Sequence, residues 1–449
     1  MAIVTASFHL DGSYRRHDRV LIAGSPLRLF RLSARGQRVV EAIEQNEPLP
    51  SGHARLTDRL VEAGAIHPNP PPSTFTPADV TIVVPAFNAQ PTVMNVVGEV
   101  IVVDDASEPP LTPATGHRVI RLPTNRGPAA ARNAGLAEVT TELVAFVDTD
   151  VELDDGWLDA LLPHFNDPLV ALVAPRVAST GGTTTIARYE SVRSPLDLGS
   201  QQGRIVAGSR ISYVPAAALV VRTDALRGIG GFDESLRTGE DVDMVWRLSE
   251  AGHRCRYEPA SIVHHRPRAT LPSWARQRLT YGRSAAALDR KHPGAVTPLR
   301  MSGWSAAVWA LVLARRPLAA MVVAGWTIAA LRRKLYDLPP EESIRLAGVG
   351  HLYAGRQVAS AITRVWWPPA LVAAFFFRRS RLPLAAAATV PALLDWRGHH
   401  GSLDPALYVA LRLADDVAYG TGVWLGSIDE WSVGALTPKF TNWPGRTAD

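Results

Sequence analysis

Phe146-Val147-Asp148-Thr149-Asp150 closes an apolar run that begins at Leu143. A short apolar run of this kind reads as a buried strand. Its two carboxylates, at i and i+2, share one face where the strand gives out and can converge on one hard cation through oxygen ligands. Asp-x-Asp also occurs as a solvated turn, so the sequence on either side has to decide between the two.

Upstream, Val80 to Val84 is a β-branched run closed by Pro85, and Val100 to Val103 is a second one, ending in Asp104-Asp105-Ala106-Ser107. A segment from Phe87 to Gly98 crosses between them. Two buried strands joined by a helix predict a right-handed βαβ unit, whose ligands bind beyond the strand C-termini, where Asp104 falls. A third strand, Val119 to Leu122, leads into Asn125-Arg126-Gly127-Pro128-Ala129-Ala130-Ala131-Arg132-Asn133-Ala134-Gly135. Gly127 permits the turn, Pro128 suits a first helical position, and Arg132 projects one turn in. A helix start beside an arginine attracts phosphate, and a surface turn with a solvated arginine fits the same residues.

Downstream, the pattern predicts a helix over Trp157 to Phe165, a strand over Leu169 to Pro175, and a Gly/Ser/Thr-rich loop from Ser179 to Gly203 able to cover a site. Pro215 to Arg222 is again strand-like. Gly230-Gly231-Phe232-Asp233-Glu234 follows, then Gly239-Glu240-Asp241-Val242-Asp243, an acidic opening for a helix over Met244 to Ala251. Tyr257 to His265 reads as a closing strand with two histidines.

The 449 residues suffice for two to four domains. One cysteine, Cys255, excludes an internal disulfide and a four-cysteine zinc site, so a catalytic metal would need carboxylates or histidines. A net charge of +5 with dispersed arginines lacks the dense basic stripe of a dedicated nucleic-acid binder and suits phosphorylated ligands or a membrane surface better. The N-terminus has no apolar core behind a basic end, which leads us to expect the catalytic part in the cytoplasm.

Residues 1–68 read as a small winged-helix-like domain: strands at Ser7 to Leu10, Arg19 to Ala23 and Leu27 to Leu32, helices at Ala34 to Ile43 and Ala54 to Ala63, a stop at Gly64, and the strand-like Ala65-Ile66. That order is similar to the PqqD-like peptide-recognising domains; DNA binding or dimer packing are its other uses. Residues 69–78 form a proline-rich linker, 79–270 the catalytic domain, and 271–449 a helical hydrophobic region.

Taken together, the string from Val80 to Pro267 resembles the inverting, nucleotide-sugar-dependent glycosyltransferases of the GT-A fold (family 2), an α/β architecture with a mostly parallel sheet. The resemblance implies that Pro85, Asp104, Asp105, Asn125, Gly127, Arg132 and Asp148 bind the donor, with Asp104 at the nucleoside and Arg132 near base or diphosphate. It implies Mg²⁺ or Mn²⁺ on Asp148, Asp150 and His264, and Asp241 as general base, with Gly231, Phe232, Asp233, Glu240 and Asp243 supporting the acceptor. Two departures stand out: the first crossover is short and lacks the usual glutamine-threonine pair, and the Gln-x-x-Arg-Trp motif of processive synthases is absent from Arg276-Gln277-Arg278-Leu279-Thr280-Tyr281.

Beyond Trp304 the apolar runs Trp304 to Ala314, Pro317 to Leu331, Val365 to Phe377 and Leu382 to Leu394 are each too short to span a bilayer. Interfacial or re-entrant helices on the inner face of the membrane and a buried helical bundle fit them equally. Asp415-Asp416 and His399-His400 read as surface groups. With Gly350-His351-Leu352 and Arg364-Val365-Trp366-Trp367-Pro368, the whole layout resembles the glycosyltransferases of mycofactocin biosynthesis. That resemblance implies transfer of β-linked glucose from UDP-glucose to a peptide-derived acceptor, a mycofactocin precursor. Other readings are a cell-envelope lipid or polysaccharide acceptor, an inactive nucleotide-sugar- or peptide-binding protein, and a nucleotidyltransferase, which would lack the Gly-Gly-Phe-Asp and Glu-Asp blocks.

Overall fold

The structure, a computed structural model, describes residues 7–92, 97–112, 116–398 and 403–442. The chain divides into two compact units: Met1–Gly181 with Arg193–Pro267, and Gly182–Val192 with Arg268–Asp449. In the first, β1 (Ser7–Leu10) pairs antiparallel with β5 (Ile66–Asn69), while β2 (Arg15–His17), β3 (Val20–Ala23) and β4 (Arg28–Arg31) form a separate three-stranded meander. Two helices lie between β4 and β5. In α1 (Ala34–Gln45) the Ser33 hydroxyl accepts from the Gly36 N–H, meeting an orphan donor of the first turn, and Asn46 ends the helix at φ 53°. Leu60 and Val61 of α2 (Ala54–Glu62) close a core with Leu21, Val39 and Ile66. The strand β2 has no apolar member to betray it, being Arg-Arg-His.

The main sheet is mixed. Its hydrogen-bonded order is β10 (Val151–Leu153), β14 (Arg254–His265), β11 (Val170–Ser179), β13 (Ala218–Arg222), β9 (Leu143–Val147), β6 (Val80–Ala86), β7 (Val100–Asp104) and β8 (Arg118–Arg121). On one side lie the parallel strands β6, β7, β8 and β9. In β6, β7 and β9 the buried residues are near-continuously apolar, as covered parallel strands require, while the edge strand β8, Arg-Val-Ile-Arg, buries none. The helix α3 (Pro128–Glu138) covers this half. Gly135 lets it approach, since a Cβ there would lie 2.3 Å from Val83 Cγ1. No helix occurs in the described part of the first crossover, 87–92 and 97–98. Asn88 and Thr92 hold that segment instead, Asn88 to Ser107 and Glu108, Thr92 to the carbonyls of Thr149 and Val151.

Past β10 (Val151–Leu153), the helix expected over Trp157 to Phe165 is a series of turns ending in a 3₁₀ segment at Leu162–Asn166. Pro163 lacks the N–H that an α-helical ladder would use there. The same apolar residues are nonetheless buried under the sheet. After β11 (Val170–Ser179) the chain leaves this unit for α4 (Thr185–Arg193) and returns to β12 (Gly203–Arg204), β13 (Ala218–Arg222), α5 (Thr223–Gly228), α6 (Glu240–Glu250) and β14 (Arg254–His265). Strand β13 is antiparallel to both β9 and β11, so its first residues share the rim where β6, β7 and β9 end. Strand β14 is parallel to β11 and brings its C-terminus to that rim too.

The 69–78 segment is not a free spacer. Asn166 donates to the carbonyls of Pro71 and Pro72 and accepts from the N–H and hydroxyl of Thr74, while Phe75 packs edge-on to Phe165 under Arg222. Charged pairs hold the small domain as well. Arg254 reaches Glu62 (2.6 Å), Asp167 (2.7 Å) and Asp58 (3.3 Å), and Arg204 reaches Glu62 (3.1 Å). Arg210 meets Asp11 at 3.2 Å, and its N–H donates to Ser25 Oγ.

In the second unit α7 (Leu271–Lys291) and α13 (Pro405–Asp429) form the central pair. Around them lie α8 (Gly303–Leu313), α9 (Pro317–Lys334), α10 (Pro340–Arg364), α11 (Trp367–Phe376), α12 (Arg381–Arg397) and a two-stranded pairing of β15 (Arg300–Ser302) with β16 (Lys439–Thr441). Here α4 corrects the loop reading of Ser179 to Gly203. Thr184 caps it through the Ala187 N–H, and its Ile186 and Tyr189 pack on Trp274 and Tyr408. Asp415 and Asp416 are buried rather than surface groups. Asp415 accepts from Arg278 (2.9 Å) and Tyr189 (3.1 Å); Asp416 pairs with Arg412 and accepts from Thr363 (2.8 Å). His399 and His400 lie outside the described residues.

Candidate active site

At the rim, Asp104 ends β7 and Asp105 follows it, both buried. Asp104 accepts from the N–H of Ser107 (2.8 Å) and of Leu111 (3.3 Å) and is closed off by Arg121. Burial works against ionisation, but those donors hold its carboxyl below the usual range. Asp105 accepts from the N–H groups of Arg126 and Gly127, both at 2.8 Å, and so fixes the turn that starts α3. Gly127, at φ 92°, takes a backbone conformation that a side chain would strain. Asn125 is exposed beside it, donating to the Asp105 carbonyl and accepting from Arg237. Pro85 sits within β6, opposite Val103.

From α3, Arg132 points under the rim and is buried. Its Nη2 donates to Asp148 (2.8 Å) and its Nη1 to Glu240 (2.7 Å), while its guanidinium lies 5.4 Å from the centroid of the Phe232 ring. The sequence reading put Arg132 against base or diphosphate. Here it is engaged by two carboxylates from different elements. Burial pushes the Asp148 carboxyl up, Arg132 opposes this, and nearby Asp150 adds to it.

Phe232, edge-on to Phe146, is clamped by Asn133, which exchanges two 2.8 Å hydrogen bonds with its backbone. Asp233 caps its own turn through the Ser235 N–H. Asp243 is buried and pairs with Arg247 (2.7 Å), whose other nitrogens donate to the carbonyls of Ile229 and Gly231. That leaves Asp241 on α6. Its Oδ2 accepts from the Ala216 N–H (3.1 Å) and its Oδ1 from the Val242 N–H (2.8 Å). Burial first, then the neighbouring Glu240, push its carboxyl up to about 7 against the pull of Arg132.

The two histidines are separated by strand alternation. His265, buried, lies 3.3 Å from Asp150 Oδ2, whereas His264 faces Asp154 at 3.3 Å on the other side. His265, rather than the expected His264, is therefore the histidine that lies beside Asp150. A bulge in β14, where Pro175 pairs with Glu258 but Arg176 with Ile262, shifts the parity that sequence alternation would have given. Among the described residues no three His, Cys, Asp or Glu side chains form a ready-made metal cage. Two donors 3.3 Å apart do fit neighbouring ligands of one ion bound at about 2.1 Å, with phosphate oxygens or water completing the shell.

A family model, "Glycosyl transferase family 2", matches residues 81–229. The chain is 41% identical over 448 residues to the pre-mycofactocin glycosyltransferase of Mycobacterium tuberculosis, covering 94% of each protein. It belongs to the pre-mycofactocin glycosyltransferase family. A more distant relative, the succinoglycan biosynthesis protein ExoO of Rhizobium meliloti, is 28% identical over 44% of this chain and 63% of its own. Among solved structures, a mannosyltransferase from Pyrobaculum calidifontis in complex with GDP-Man and Mn2+ aligns over 81% of this chain and 90% of its own, at 16% identity and a TM-score of 0.40.

For this member of the pre-mycofactocin glycosyltransferase family, the family 2 match takes in Asp104, Arg132, Asp148 and Asp150 but ends before Phe232, Asp241 and His265. Ala216 was not foreseen as a site residue. It enters because β13 runs antiparallel and starts at the rim; the next residue, Ala217, accepts the Asp148 N–H through its carbonyl. Two adjacent residues therefore touch the site, Ala217 the Asp-x-Asp turn and Ala216 the carboxylate of Asp241.

Proposed function

We propose that this glycosyltransferase moves glucose from UDP-glucose to a hydroxyl of a peptide-derived mycofactocin precursor, in the cytoplasm, by a single displacement that inverts the anomeric carbon and leaves a β-linkage. The observation that carries this reading is the shared guanidinium of Arg132, held at once by Asp148 of the Asp-x-Asp turn and by Glu240, the neighbour of Asp241. Donor-side and acceptor-side carboxylates are thereby tied at hydrogen-bonding distance. Asp241, with its carboxyl raised towards neutrality, is suited to take the proton of an attacking hydroxyl at physiological pH. Asp150 with His265 would hold a divalent cation, Mg²⁺ or Mn²⁺, which when bound neutralises charge on the leaving diphosphate. Asp148 keeps Arg132 oriented, and Phe232 supports that guanidinium from below. The small domain is read as the part that helps hold the peptide-derived acceptor.

The test is to incubate the full-length protein with the precursor and, separately, UDP-glucose, GDP-mannose and UDP-GlcNAc. UDP release that needs both UDP-glucose and precursor, with a β-anomeric product by NMR, is the expected result. An α-linked product would overturn the inverting mechanism, and turnover with another donor alone would overturn the assignment of glucose.

A further inference from the structure

Within the second unit, three helices, α9, α11 and α12, bury almost nothing. The ten residues of α11, Trp-Pro-Pro-Ala-Leu-Val-Ala-Ala-Phe-Phe, include no buried side chain; in the eighteen of α9 and the seventeen of α12 only Ala320 and Ala392 are buried. Leu318, Val322, Phe375 and Leu382 are each more than 70% exposed. An apolar surface of this extent is not kept against water by soluble chains and marks a contact with something apolar.

Basic residues punctuate the same helices. Arg315 and Arg316 precede α9, Arg332, Arg333 and Lys334 end it, and Phe375-Phe376-Phe377 runs straight into Arg378 and Arg379, all of them exposed. Among the described residues no single helix is long and apolar enough to cross a membrane; α10 and α11 reach that length and apolarity only as a pair, and they meet at an 85° bend. A ten-residue apolar helix between a sharp bend and an arginine pair has the form of an interfacial element: its rings enter the acyl boundary while the guanidiniums stay among phosphates.

We propose that α9, α11 and α12 form a docking face for an anionic lipid bilayer, with Phe375-Phe376-Phe377 inserting and Arg378 and Arg379 reading the headgroups. A second copy of the chain is the less fitting occupant. Pairing this face with itself would bring the same arginines together, whereas anionic headgroups neutralise them.

The experiment is flotation of the full-length protein with vesicles of phosphatidylcholine alone and of phosphatidylcholine mixed equally with phosphatidylglycerol. The protein floats with the mixed vesicles, and high salt weakens the association. Arg378→Glu with Arg379→Glu lowers partitioning roughly 25-fold or more. Changing Phe375, Phe376 and Phe377 to Ser abolishes it while the melting temperature stays put, because all three rings are exposed. If the triple variant fails to fold, the arginine pair decides alone. Absence of flotation by the parent protein, or equal flotation by parent and arginine variant, overturns the proposal. So does a dimer in sedimentation that the same substitutions dissociate in the absence of lipid.

Discussion

Asp241 carries a cost that can be measured apart from its chemistry. Its carboxyl is easier to protonate in the fold than in the unfolded chain, so the native state binds the extra proton between the ordinary value of 3.8 and about 7. Stability from this group is fully present below the lower value and is lost as pH rises through the upper one. Asp241→Asn, which cannot ionise, should therefore melt higher than the parent at pH 8 and alike below pH 4, as thermal scans across that range will show. The same substitution should lower kcat by roughly 10² to 10⁴, and the parent's kcat/KM should fall as pH drops through about 7. His265→Ala should weaken activation by Mn²⁺ roughly tenfold or more, with His264→Ala near the parent, in titrations of activity against metal. The acidic members of this site were legible because strand ends and a helix start can be read from apolar runs and glycines. The choice between His264 and His265 was not, because three residues bulge from β14 and reverse the alternation. Nor was the fate of Asp104, which depends on Arg121 from the next strand.

Elements with continuous apolar runs, such as β6, β7 and β9, were readable at once, since a strand covered on both faces needs no alternation. The direction of β13 was not, because Val-Val-Arg has the same pattern either way up and only the path of the chain before it settles the matter. The helix α4 hid in a Gly/Ser/Thr-rich tract, and its capping Thr184 looked like one more loop residue. Asp415 and Asp416 looked like surface groups because their arginine partners Arg278 and Arg412 lie on other turns or other helices. The pairing of α7 with α13 rests on small residues: a Cβ at Gly422 would fall 2.0 Å from the Leu279 carbonyl oxygen. Gly422→Leu should therefore force the helices apart and destabilise by about 1–3 kcal/mol or more, read as a lower midpoint in denaturant with the helical signal retained below it.

At the scale of the molecule, the small domain and the main sheet share one compact unit, joined by Arg254, Arg204 and Arg210. Arg254→Met takes the arginine away from Asp58 and Asp167 and leaves Glu62 to Arg204, and should raise hydrogen exchange across residues 54–69, with little change in the strands of the main sheet, since breaking a buried charge pair strands the remaining group. The composition of the proline-rich stretch announced an extended segment but not its anchorage, because Asn166 is a single polar residue far along the chain. That anchorage gives the stretch the character of a fixed gauge rather than a tether. With Asn166 gripping Pro71, Pro72 and Thr74, the distance from the small domain to the rim is set by hydrogen bonds and does not fluctuate with chain length. For the proposed acceptor role, the parent enzyme should discriminate sharply between precursor analogues differing by one residue in length, and Asn166→Ala, by slackening the gauge, should accept them more evenly.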